Sequence, residues 1–207
     1  MTVLNTDYYP KIIQDFFLFD QSDSDGSAHT PIALPFQYDS NVLLEEANRL
    51  PYDDRTVARC YVWGPTGQED PGCDLLSNHG TEYSAQIDLS KYPAIQSFIS
   101  NCNNVGDIAY MTFKKMKPRG FITPHVDSEC NSLKVYVPLT WPAGSCFKIW
   151  KHGKVDFTSL QPNIINTGKH MHSVVNDSDE PRIIFSFYPD WSSDGWRQIL
   201  DKTEVQP

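Results

Sequence analysis

Between residues 133 and 139, Leu133, Val135, Val137 and Leu139 alternate with Lys134, Tyr136 and Pro138. A period of two predicts a strand that turns its aliphatic residues to one side and Lys134 and Tyr136 to the other. Similar signals run from Asp107 to Tyr188. Ile108 to Met116 is rich in β-formers and stops at Lys117-Pro118-Arg119-Gly120. Phe147 to Trp150 and Val155 to Phe157 flank Lys151-His152-Gly153-Lys154, which reads as a hairpin with glycine at its turn. Two more strands, about His170 to Asn176 and Arg182 to Tyr188, are separated by the polar turn Asp177-Ser178-Asp179-Glu180-Pro181. Short strands with close turn signals predict an antiparallel sandwich or barrel.

Upstream the pattern is mixed. An apolar segment, Ile12 to Phe19, precedes the polar stretch Gln21-Ser22-Asp23-Ser24-Asp25-Gly26-Ser27. The glycine there stands in the wrong place for a calcium loop and no glutamate follows at the needed distance. A helix is predicted after Asp39-Ser40, with Ser40 as N-cap, Val42, Leu43, Ala47 and Leu50 as its apolar face, and Pro51 as its stop. A second is predicted from Tyr92 through Ile99, with Pro93 in its first turn. Gly64 to Gly72 reads as a long loop. The expected organisation is one domain: a helical or mixed buttress and lid over 1–105, a barrel core over 106–190 and a C-terminal tail over 191–207. No internal repeat is visible.

Composition narrows the classes. A chain of 207 residues with 40% hydrophobic and 21% charged residues is long enough for one sizeable core. A net charge of -9 argues against a dedicated nucleic-acid binder, although a local basic patch around an anionic ligand is compatible with it. Cys60, Cys73, Cys102, Cys130 and Cys146 are odd in number and scattered, so reduced thiols in the cytoplasm are expected. Asp7, Lys11 and Asp15 interrupt any signal-peptide pattern, and no stretch approaches membrane-span length.

The candidate chemistry lies in His125-Val126-Asp127 and in the late histidines His170 and His172. A His-x-Asp pair with one distant histidine is the ligand set of a facial iron(II) site with open positions. Alternation puts His125 and Asp127 on one face, and does the same for His170 and His172, so either late histidine can complete the set. A three-histidine site built on His125, His170 and His172 is the competing arrangement. His170 is otherwise a candidate substrate contact, as is Trp150, which with Trp141 can wall the mouth or simply pack. Arg182 opens the strand after His172 and offers the planar fork a dicarboxylate would need.

His172-Ser173-Val174-Val175-Asn176, followed by Arg182-Ile183-Ile184, resembles the His-x-Val-x-Asn…Arg signature of the aspartyl/asparaginyl β-hydroxylase-like group of iron(II)/2-oxoglutarate-dependent dioxygenases. The approach Met116-Lys117-Pro118-Arg119-Gly120-Phe121-Ile122-Thr123-Pro124-His125 and the strand from Leu133 to Leu139 resemble the same group, so the likeness spans roughly residues 90–190. The resemblance implies a double-stranded β-helix, the jelly-roll (cupin-like) barrel. It implies iron(II) held by His125, Asp127 and His172, with 2-oxoglutarate clamped by Arg182. Lys134 stands where many members carry arginine, and Tyr136 where some carry histidine; both are expected to line the cavity and touch the co-substrate. The implied reaction consumes O2 and 2-oxoglutarate, releases succinate and CO2, and hydroxylates an amino acid or peptidyl side-chain carbon. The readings from other classes are a cupin-like metal or anion binder without turnover, and the three-histidine dioxygenase that does not use 2-oxoglutarate.

Overall fold

The computed structural model describes residues 8–19, 28–65, 83–127 and 133–205. The polar stretch from Gln21 to Ser27 and most of the loop after Pro65 lie outside these residues, as do Cys73 and Cys130. The strands form two antiparallel sheets. The larger contains β1 (His29–Pro31), β2 (Val57–Pro65), β3 (Tyr83–Ala85), β4 (Ile108–Met116), β6 (Leu133–Pro138), β9 (Asn163–Asn166) and β11 (Arg182–Pro189), in the order β1-β9-β6-β11-β4-β2-β3. The smaller contains β5 (Phe121–His125), β7 (Ser145–Ile149), β8 (Gly153–Val155) and β10 (His172–Asn176), in the order β5-β10-β7-β8. Facing side chains from both sheets, Tyr136 and Ile184 from one and Phe147 and Val174 from the other, join in one buried cluster. This is the jelly-roll architecture that the family resemblance implies.

The other face of the larger sheet buries a separate core. Val135, Val137, Ile183, Phe185 and Phe187 pack there with residues of helices α2 (Ser40–Asn48) and α3 (Pro93–Val105). Phe98 on α3 meets Phe185 edge-on at 5.0 Å. The N-cap of α2 is Asp39 rather than Ser40; its Oδ1 accepts the N–H groups of Asn41 and Val42 at 2.9 and 3.2 Å. Val42 faces outward, and the buried positions of α2 include Glu46. That carboxylate accepts the backbone N–H groups of Ala94 and Ile95 at 3.0 and 2.9 Å, so one helix caps the next. With its N-terminus fixed, α3 continues past Ile99 to Val105.

Two findings go beyond the organisation expected from sequence. Residues before 106 supply three strands of the larger sheet, and β2 pairs with β4 over most of its length. The segment expected as a tail contains α4 (Asp194–Leu200), whose Trp196 is fully buried and donates its indole N–H to the carbonyl of Gly106 at 2.7 Å. Gly195 permits that docking, because a Cβ there would stand 1.9 Å from the carbonyl oxygen of Val105. At the far side, helix α1 (Lys11–Leu18) is fastened by buried Lys148, whose Nζ donates to the carbonyls of Phe17 and Phe19. Cys60, Cys102 and Cys146 are free thiols. Among the described residues no helix is long and apolar enough to cross a membrane.

Candidate metal centre and anion-binding cavity

The two sheets enclose a cavity of about 290 Å³. His125 ends β5 and His172 begins β10, and the two are direct partners in the strand register. Their rings lie 4.3 Å apart, centroid to centroid. Asp127 follows the strand and is held by its own N–H, which donates to the carbonyl of Thr167 at 2.9 Å. One ligand atom from each of His125, Asp127 and His172 lies within 4.8 Å of the other two, a grouping able to hold a metal ion.

Both imidazoles are turned by the backbone. Nδ1 of His125 is 2.8 Å from the carbonyl of Thr123, and Nδ1 of His172 is 3.1 Å from that of His170. A carbonyl can only accept, so each Nδ1 carries its proton and each Nε2 is left as a lone-pair donor. Nε2 of His125 is 3.3 Å from Asp127 Oδ1, and Nε2 of His172 is 4.0 Å from Oδ2. Phe147 stacks parallel to the His172 ring at 5.4 Å. Burial pushes the His172 imidazole down to about 4 against the opposing pull of Asp127, so the ring is neutral at ordinary pH. Burial alone would raise the Asp127 carboxyl. The charge of Lys134 and the hydrogen bond it donates override it and hold the group well below the usual carboxylate range. Lys134 Nζ bonds Asp127 Oδ2 at 2.5 Å.

The deeper wall comes from alternate residues of the larger sheet. Arg182, Ile184 and Tyr188 from β11 line it with Lys134 and Tyr136 from β6. Arg182 is 2% exposed, and neither its Nε nor its Nη1 has a hydrogen-bond partner among the described residues. Its guanidinium lies over the Trp141 ring, 5.1 Å from the centroid. Burial lowers it to about 10, which leaves it protonated at neutral pH. Asn176 prepares this position: its Nδ2 donates to the carbonyls of Glu180 and Lys117 at 2.8 and 3.1 Å, closing the turn that delivers Arg182 into β11. Tyr136 bonds Thr167 through its side chain, and burial raises its phenol.

The structure thus brings together six of the residues singled out from sequence and leaves two apart. His170 lies before β10, not in it, and its ring meets His152 edge-on at 4.4 Å instead of lining the cavity. Its contribution is the carbonyl that orients His172. Trp150 stacks on Phe19 at 4.2 Å, against the segment that follows α1, and is likewise absent from the wall. Sequence reading missed Arg59 and Tyr61 on β2 and Tyr110, Thr112 and Lys114 on β4, all of which line the cavity. The signal was present. Ala58, Cys60 and Val62 are buried in alternation with Arg59 and Tyr61.

Two antiparallel sheets closing on a His–Asp–His cluster are the architecture of a jelly-roll oxygenase. The family model described as aspartyl/asparaginyl beta-hydroxylase matches residues 75–188, more than half of the chain, and the protein belongs to that family. No curated protein matches the sequence. Among solved structures, the fold is shared with an oxidoreductase of the 2OG-Fe(II) oxygenase family from Burkholderia pseudomallei. That likeness has a TM-score of 0.54 at 12% identity and covers 83% of this chain and 87% of the other. A viral collagen prolyl hydroxylase from Paramecium bursaria Chlorella virus-1, solved with 2OG, is similar at a TM-score of 0.48, 13% identity and coverage of 81% and 97%.

Proposed function

We propose that His125, Asp127 and His172 hold iron(II), that Arg182 takes the distal carboxylate of 2-oxoglutarate, and that the protein hydroxylates an amino acid or peptidyl side-chain carbon. In this reading 2-oxoglutarate leaves as succinate and CO2. The observation that carries the proposal is the buried, positively charged Arg182 with two N–H-bearing nitrogens unpartnered, on the wall of the cavity that the His–Asp–His cluster also lines. Leaving such a group unsatisfied costs several kcal/mol by order of magnitude. A carboxylate entering the cavity lowers that cost through charge-assisted hydrogen bonds to the guanidinium.

The donor set fits the metal. Two neutral imidazole nitrogens and one carboxylate oxygen suit iron(II) and fill only one face of its coordination sphere. Iron with 2-oxoglutarate, once bound, supplies the two-electron activation of O2 that no side chain can perform. The chain's own contribution is orientation. The carbonyls of Thr123 and His170 fix the two Nε2 atoms, and Lys134 fixes Asp127. Lys134 and Tyr136 stand on the same wall as Arg182 and are assigned to the co-substrate. Ile122, Val174 and Ile184 add apolar surface to the same cavity.

Anaerobic addition of iron(II) and then 2-oxoglutarate is expected to give a weak visible charge-transfer band that Arg182→Met diminishes. Intact iron binding with no band would overturn the co-substrate assignment. Succinate release, screened over free amino acids and short peptides, then separates an oxygenase from a binding protein.

A further inference from the structure

We propose that Arg59 and Lys114 form a second anion subsite, which takes a carboxylate of the molecule being oxidised. The inference rests on the reading above, since it begins from the cations that reading leaves over. Among the described residues four basic side chains line the cavity, Arg59, Lys114, Lys134 and Arg182, against the single carboxylate of Asp127. Lys134 is paired with that carboxylate, and Arg182 is assigned to 2-oxoglutarate. Arg59 and Lys114 remain, and neither has an acidic partner among the described residues.

The two are direct neighbours. Arg59 on β2 and Lys114 on β4 are register partners, and both side chains reach the cavity. Like charges set opposite each other across a strand pair repel, and both groups are half-buried, where screening is weak. An anion between them turns that repulsion into two charge-assisted contacts. Burial and the nearby charges of Lys134 and Arg59 push the Lys114 ammonium down to about 7, the signature of a cation lacking its counter-ion. Thr112, on the same face of β4 as Lys114, has its hydroxyl buried with no partner among the described residues and adds a neutral donor. Tyr61, two residues along β2 from Arg59, and Tyr110, four residues before Lys114 on β4, lie 6.2 Å apart between centroids and add aromatic faces suited to a carbon skeleton.

These features fit a carboxylate better than a phosphate. The wall offers side-chain donors only, without the helix N-terminus or glycine-rich backbone on which phosphates commonly sit. Arg59 also lies upstream of the matched segment 75–188, so half of the subsite is supplied by a strand outside the family pattern.

The test titrates protein loaded anaerobically with iron(II) and saturating 2-oxoglutarate with propionate, propionamide and inorganic phosphate, read by calorimetry. Propionate is expected to bind at least about tenfold more tightly than propionamide. Arg59→Gln should abolish that preference while 2-oxoglutarate affinity stays unchanged, and Lys114→Met should do the same. Equal binding of acid and amide overturns the proposal, as does tighter binding of phosphate than of propionate. A loss of 2-oxoglutarate affinity in Arg59→Gln would hand the pair to the co-substrate and overturn it equally. The same titration on metal-free Arg182→Met protein separates the two readings. Preference for the acid persisting there supports the subsite even if iron and 2-oxoglutarate bind nowhere, and its loss there overturns the subsite alone.

Discussion

The two faces of β11 are both buried, and they are buried in opposite ways. Ile183, Phe185 and Phe187 face the helices and are filled by packing: Phe98 touches both phenylalanines, and Phe185 stacks on Phe113 at 4.7 Å. Arg182, Ser186 and Tyr188 point the other way, and all three carry buried polar atoms with no partner among the described residues. One face is a finished interior. The other is an interior made ready for a guest. A buried polar group without a partner costs stability, so a cluster of them along one wall marks where a protein has traded stability for binding.

That contrast can be broken most forcefully on the packed face. Phe185→Ala should cost about 3–5 kcal/mol, as large-to-small core changes do. At about 2–4 °C per kcal/mol for a chain of this size, the melting temperature of the metal-free protein should drop by roughly 10 °C. A much smaller shift would mean that α3 does not hold the sheet as described.

Arg182→Met on the other face should move stability the opposite way. Removing an unpaired buried charge while keeping its volume should raise metal-free stability by about 1–2 kcal/mol. The same variant should weaken 2-oxoglutarate binding by about 10–100-fold, measured by calorimetry on the anaerobic iron protein. Stability and affinity falling together would contradict the idea of a wall waiting for an anion.

Lys114→Met is a milder form of the same experiment. A lysine whose folded value is depressed to about 7 destabilises the fold fully below that pH. The penalty shrinks as pH rises from about 7 toward the unfolded value near 10.4. Metal-free Lys114→Met should therefore gain about 1 kcal/mol at neutral pH, discounted for partial exposure, and should lose the upward slope of stability above pH 7. Denaturant melts at two pH values read both effects. His172 gives the complementary window. Its depressed value of about 4 makes stability fall as pH drops from the unfolded value near 6.5, and further acidification below about 4 adds nothing through this group.

His170→Ala should change least. Its ring packs on His152, away from the cavity, and its carbonyl survives the substitution. Iron retention should stay near that of the parent protein, whereas His172→Ala should abolish it. The reverse result would exchange the two histidines and revive the three-histidine arrangement.

How much was legible in the sequence depended on whether the signal was local. The alternation through Leu133–Leu139 correctly assigned Lys134 and Tyr136 to the cavity face, because a strand's period of two is a property of its own backbone. His170 and His172 also looked equivalent by that period. They are not, because β10 begins only at His172 and the preceding turn aims His170 elsewhere. The β2 strand, with Arg59 and Tyr61, carries the same alternation, but nothing local to it says which strand it joins. Its partner β4 begins more than forty residues later.

The sequence by itself determined the strand-rich second half, the residue types at 125, 127 and 172, and the arginine at 182. Residue identity and short-range periodicity carry that information. Only the tertiary structure decided which histidine joins the cluster, that Lys134 pairs with Asp127, that Arg182 has no partner, and that a strand from the first half adds a cation beside Lys114. Each of these depends on distances between segments remote in the chain, and on burial, which sets both the strength of a charge and the cost of leaving it alone.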